Sequence, residues 1–226
     1  MLRLAIFDVD GTLVDSQAAI LAAMKGAHAA VGLPLPPREN LLGIVGLSLP
    51  QAMAALHPER ETAAHHGLAE AYRQAFKALR AAGGGETDVP FYPGAREALA
   101  RLDKAGWLLA VATGKARRGL NHLLEIHGLE HLFVATQSAD DAPSKPHPGM
   151  VENILRATGV EATRAVMIGD TAFDMAMGRA AGAGAIGVSW GYHPVPRLYE
   201  AGAELVIEEF AALDDALESV VAEAPA

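Results

Sequence analysis

The chain has 226 residues, 51% hydrophobic and 20% charged, with 18 Lys and Arg against 27 Asp and Glu and no cysteine. That length buries a substantial core unaided, and the missing thiols exclude a disulfide scaffold, a Cys-ligated metal site and a cysteine nucleophile. A formal charge of −9 offers no basic face for nucleic acid and repels phosphates at long range, so any phosphate site must be local.

The first apolar run, residues 4–7, meets Asp8 too early for a signal-peptide core, and no run approaches the roughly 20 residues of a membrane span. The expectation is a soluble, cytoplasmic protein with no membrane partner. From residue 15 to about 88 only Ala-rich helical stretches appear, punctuated by Pro34, Pro36, Pro37, Pro50 and Pro58. Gly83, Gly84 and Gly85 then make a flexible connector, and Pro90 and Pro93 favour extended backbone on the way back. Beyond it, apolar runs at 107–112, 132–135, 165–168, 185–188 and 205–207 alternate with helical stretches near 94–105, 116–127, 148–158 and 173–181. Residues 211–226 read as a terminal helix and tail. Strands without polar alternation are covered on both faces. The fold class expected is therefore α/β, a doubly wound parallel sheet over residues 1–14 and 88–226, with a small all-helical domain inserted at 15–87.

Four strand ends carry chemistry. The first runs into Asp8, Val9, Asp10, Gly11 and Thr12; the second ends in Thr113, Gly114 and Lys115. Ser144, Lys145, Pro146, His147 and Pro148 precede a helix, and the fourth strand ends in Gly169, Asp170, Thr171 and, further on, Asp174. In open α/β sheets this edge is where ligands bind. Taken singly each has a plain reading: an Asx turn or a metal loop at Asp8 and Asp10, helix caps at Thr113 and Asp174. Together they bring a nucleophile, a hydroxyl, a cation and paired carboxylates to one edge.

In order and spacing these segments resemble the four motifs of the haloacid dehalogenase superfamily, and Asp15, Ser16, Lys145, Pro146 and Pro148 resemble its phosphoglycolate phosphatase-like branch. The helical insert resembles that superfamily's first type of cap. The resemblance implies that Asp8 attacks phosphorus and that Asp10 protonates the leaving alcohol, then deprotonates water. It implies Mg²⁺ held by Asp8, the Asp10 carbonyl and Asp170, with Asp174 orienting that shell or binding through water. Thr113 and the Gly114 amide would hold phosphoryl oxygens, and Lys145 would offset charge in the transition state. Asp10 favours phosphate esters over the dehalogenase and phosphonate-cleaving branches. Gly114 is a departure, because Asn or Ser often stands there. The expectation is a Mg²⁺-dependent phosphomonoester hydrolase acting on a small phosphorylated metabolite, phosphoglycolate-like or a sugar phosphate, as monomer or homodimer. A β-phosphoglucomutase-like mutase and a non-catalytic phosphate-binding module are the alternatives.

Other features read as structural. Gly182–Gly187 spells G-x-G-x-x-G but leaves a helix and enters a strand, the reverse of a dinucleotide loop. His57, His65 and His66 read as a solvated helix face, Arg117 and Arg118 as a solvated pair or a phosphate contact. Lys25 reads as a surface residue. The segment from Gly43 to Pro50 is either a substrate-facing cap turn or a plain helix connection. Val14, Asp15 and the Gly83–Gly85 run would be the hinge.

Overall fold

The computed structural model describes residues 2–82 and 89–223. Six strands, β1 (Leu4–Phe7), β2 (Leu108–Ala112), β3 (Ala135–Gln137), β4 (Ala165–Gly169), β5 (Gly184–Val188) and β6 (Leu205–Ile207), form one parallel sheet in the order β3-β2-β1-β4-β5-β6. The four β1 residues are fully buried, and alternate ones face opposite layers. Ala5 and Phe7 pack with α5 (Ala95–Lys104), α6 (Arg117–His127) and α10 (Leu213–Glu223). Leu4 and Ile6 pack with α7 (Gly149–Thr158) and with Met177 of α8 (Ala172–Ala180). Two covered faces explain why the strands read as unbroken apolar runs. The strand order reverses direction between β1 and β4, which opens the crevice where such sheets bind ligands.

Between β1 and α5 the chain builds α1 (Gln17–Ala30), α2 (Arg38–Leu42), α3 (Leu49–Leu56) and α4 (Thr62–Ala81), with no strand among the described residues. These four, the insert expected as a cap, have a small core of their own around Met24, Leu41, Met53 and Leu68. The chain leaves the sheet and returns to it side by side: Asp15 N–H donates to Pro90 O and Tyr92 N–H to Leu13 O. The glycine run expected as the second hinge lies outside the described residues, as does the return boundary near 87–88.

One expectation needs correction. The third strand lies at Ala135–Gln137, not 132–135, because Leu132 and Phe133 pack against the core from the turn that follows α6. A short helix, α9 (Val195–Glu200), for which the sequence raised no expectation, follows Pro194; its prolines sit at the helix start, where a missing N–H costs nothing.

Candidate active site

The carboxyl ends of β1, β2 and β4 meet at one point. Asp8 and Asp170 lie directly beyond two hydrogen-bonded neighbours, and Asp8 N–H donates to Ile168 O at 2.9 Å. Asp8, Asp170 and Asp174 are at most 1% exposed and each brings a carboxylate oxygen within 4.8 Å of the others. Lys145, fully buried, stands among them with Nζ 3.0 Å from Asp8 Oδ2 and 2.6 Å from Asp174 Oδ1.

Each carboxylate has a different set of partners. Asp170 accepts from Thr12 Oγ1 at 2.8 Å and from Tyr192 N–H at 2.9 Å. Asp174 Oδ2 accepts from Thr171 Oγ1 at 2.7 Å and Thr171 N–H at 3.1 Å, closing a capping box at the start of α8. Both Asp174 oxygens are thus engaged. Asp8 Oδ1 is buried without a hydrogen-bond partner among the described residues. Gly11, at φ +86°, lets the chain turn at once after Asp10; a Cβ there would overlap the Asp170 carboxylate.

The electrostatics follow from this crowding. Burial, with Asp174 and Asp10 nearby, pushes the Asp8 carboxyl up to about 7 against the pull of Lys145. Burial and the Asp174 and Asp8 charges raise Asp170 well above the ordinary carboxylate range. Burial alone would lower the Lys145 ammonium, but Asp174 and Asp8 outweigh it and hold it above its usual value. One ammonium facing three buried carboxylates leaves negative charge uncompensated. An orphaned Asp8 oxygen and an all-oxygen donor set suit a hard divalent cation such as Mg²⁺ and not a soft one.

Asp8 and Asp10 also line a cavity of about 750 Å³ between sheet edge and helices. Thr113, Gly114 and Lys115 share that lining, so all the expected site residues gather at one end of it or just beneath. The turn at residues 44–48 lines the same cavity close to Gly114 and is fastened to the sheet loops. Ser48 N–H donates to Ser144 Oγ at 2.7 Å. His193 Nδ1 accepts from Ala172 N–H at 3.0 Å, so its proton is on Nε2 and is donated to Gly43 O at 3.1 Å. At Gly114, a Cβ would fall inside contact distance of Gly46 O, which gives the sequence's departure a reason: a side chain there would displace the turn.

Several residues escaped the sequence reading. Lys115 Nζ lies 3.2 Å from Asp10 Oδ1 and 5.9 Å from the centre of the Phe76 ring of α4. Tyr192 and His193 lie beyond β5, and Tyr192 OH is 3.1 Å from Ser16 Oγ. Their signal was available, since this strand ends at the same edge as the others. The Arg117–Arg118 pair splits: Arg117 bonds Thr136 and Asp141 and is half-buried rather than fully solvated, whereas Arg118 is exposed and faces the cavity. His57 is not on a solvated face either; it is buried against His28, with Nε2 atoms 3.1 Å apart. Among the described residues no histidine joins a metal-ligating group.

A family model described as haloacid dehalogenase-like hydrolase matches residues 5–188. The "Probable phosphatase IndB" of Dickeya dadantii is 35% identical over 216 residues, covering 93% of this chain and 91% of that protein. A phosphoglycolate phosphatase of Agrobacterium fabrum is also 35% identical over 216 residues, covering 95% and 91%. The crystal structure of a hydrolase from Pseudomonas syringae superposes with a TM-score of 0.84 at 27% identity, covering 97% of this chain and 99% of that one.

Proposed function

We propose, from the premise that this chain belongs to the haloacid dehalogenase-like hydrolase family and is a phosphatase of it, a Mg²⁺-dependent phosphomonoester hydrolase. Its substrate is a small phosphorylated metabolite of the cytoplasm, and the reaction passes through an aspartyl-phosphate. The observation that carries this reading is Asp8: a carboxylate buried at the strand end that nevertheless lines the cavity, with Lys145 Nζ at 3.0 Å and Asp10 two residues on.

An oxygen of Asp8 attacks phosphorus as the bond to the leaving alcohol breaks, and Asp10 gives that alcohol its proton. Asp10 then takes a proton from water, which attacks phosphorus and returns Asp8 as a free carboxylate with inorganic phosphate released. Thr113 and the Gly114 amide hold phosphoryl oxygens in the cavity floor. Lys145 keeps one Asp8 oxygen fixed and offsets charge between nucleophile and phosphate. Asp8, Asp170 and the Asp10 carbonyl would hold Mg²⁺, which when bound neutralises charge on the phosphoryl group and keeps both carboxylates deprotonated. Asp174, engaged by Thr171 and Lys145, orients that group. Lys115 faces Asp10, with Nζ 3.2 Å from Oδ1, and holds that carboxyl in place.

The test is phosphate release from a panel of monoesters, with Mg²⁺ and with EDTA, beside an Asp8→Asn variant. Release that needs Mg²⁺ and vanishes in the variant is expected. Release that persists in Asp8→Asn removes the nucleophile assignment.

A further inference from the structure

The cavity in front of Asp8 is larger than a two-carbon phosphate ester requires; about 750 Å³ falls among sites that enclose ligands of many heavy atoms. Its lining divides by chemistry. The sheet loops supply the phosphate end. The cap supplies an apolar wall from four of its segments: Met24, Ile44, Leu49, Tyr72 and Phe76. A third part is cationic, with Lys77, Arg80 and Arg118.

The cationic part has a definite place. Arg80, Arg118 and Asp140 line both this cavity and a second hollow of about 630 Å³, so they stand where the two join. The acid among them is already used, since Asp140 Oδ2 accepts Arg117 N–H at 2.8 Å and caps α6. Arg117 is spent on Thr136 and Asp141. Arg118, its neighbour in sequence, has no ion-pair partner among the described residues. In a chain of net charge −9, a cation at the mouth of the cavity with no acid set against it among the described residues is a local arrangement, not an average of the surface.

We infer that the substrate of the proposed hydrolase is a phosphomonoester whose leaving alcohol has an apolar, ring-sized body and a second anionic group at its far end. The apolar body lies against the Phe76 and Met24 wall, and Arg118 receives the far anion, a carboxylate or a second phosphate. Phosphoglycolate has an anion but no apolar body to cross the chamber, so it fills the site poorly. This inference rests on the hydrolase reading above.

Four esters separate the possibilities: phenyl phosphate, 4-carboxyphenyl phosphate, hydroquinone bisphosphate and phosphoglycolate, each with the full chain and Mg²⁺. At least one of the two esters with a far anion should exceed phenyl phosphate in kcat/KM by about tenfold, mostly through KM. Whichever is preferred identifies the anion. Arg118→Gln should bring that ratio to about one, added salt should shrink it, and phosphoglycolate should be slower than all three aromatic esters. A ratio of one in the parent chain, a ratio untouched by Arg118→Gln, or phosphoglycolate as the best ester would overturn the inference and leave the hydrolase reading standing. No release from any of the four would overturn both.

Discussion

The sheet and the cap solve different problems with different materials. Around the sheet, Asp8, Lys145, Asp170 and Asp174 are buried, each held by partners from the loops at this sheet edge, so the reacting groups are set before any substrate arrives. The cap meets the same site with a turn, an apolar wall and cations, fastened through single hydrogen bonds to Ser144 and His193. In the proposed reaction, chemistry falls to the sheet side, while selection is shared between the weakly held cap and Arg118 of α6, and substitutions in these parts should fail in different ways.

The largest effect is expected at Lys145. Lys145→Met removes the one ammonium that, among the described residues, reaches the buried carboxylates, and stranding charges in this way costs about 3–5 kcal/mol. Urea melts should show that loss, with phosphate release abolished; a normal melt would mean the carboxylates do not need the cation.

Gly114→Ser leaves the sheet intact but drives a Cβ into the Gly46 carbonyl. Stability should fall little, while kcat/KM falls by up to about a hundredfold as the turn is displaced from the site. Parent-like kinetics would show that the turn does not need its close seat.

Proton linkage gives an intermediate effect. The folded chain holds protons on Asp8 up to about 7, and on Asp170 well above the ordinary range, which the unfolded chain sheds near 3.8. Between those values the native state binds more protons, so stability of the metal-free protein is lost as pH rises from about 4 to about 7. Lys145 stays charged throughout that window. Mg²⁺ replaces these protons, so its stabilisation in thermal melts should be larger at about pH 8 than at about pH 5.5. An increment independent of pH would separate the metal from these carboxylates.

The smallest effect is at the clasp. Ser144→Ala deletes one cap-to-sheet hydrogen bond, worth about 1 kcal/mol, and should raise KM more than it lowers kcat. A change in kcat alone would place Ser144 in the chemistry instead.

The same division governs what the sequence revealed. Apolar runs such as Leu4–Phe7 announce buried parallel strands, and the strand order then forces Asp8, Thr113 and Asp170 to one edge. That much is local pattern plus topology. The third strand was misplaced because Phe133 is apolar for a turn's packing, a distinction periodicity does not make. Arg117 and Arg118 are alike in sequence and separate only when Asp141 and Thr136 come beside one of them. Gly114 is an anomaly in the chain until the Gly46 carbonyl, far away in sequence, is seen against it. Lys115 was passed over because its partner, Asp10, belongs to another strand end. Cap-to-sheet contacts have no periodicity to announce them.

The central claim is that phosphorus is carried on Asp8. The parent chain should be mixed with a good phosphate ester and Mg²⁺, quenched in acid within the first turnover, digested and weighed peptide by peptide. The account predicts one phosphoryl group on the peptide that contains Asp8, absent from Asp8→Asn and lost on standing at neutral pH. Rapid phosphate release with that peptide never modified, or the phosphoryl group found on another residue, would contradict it.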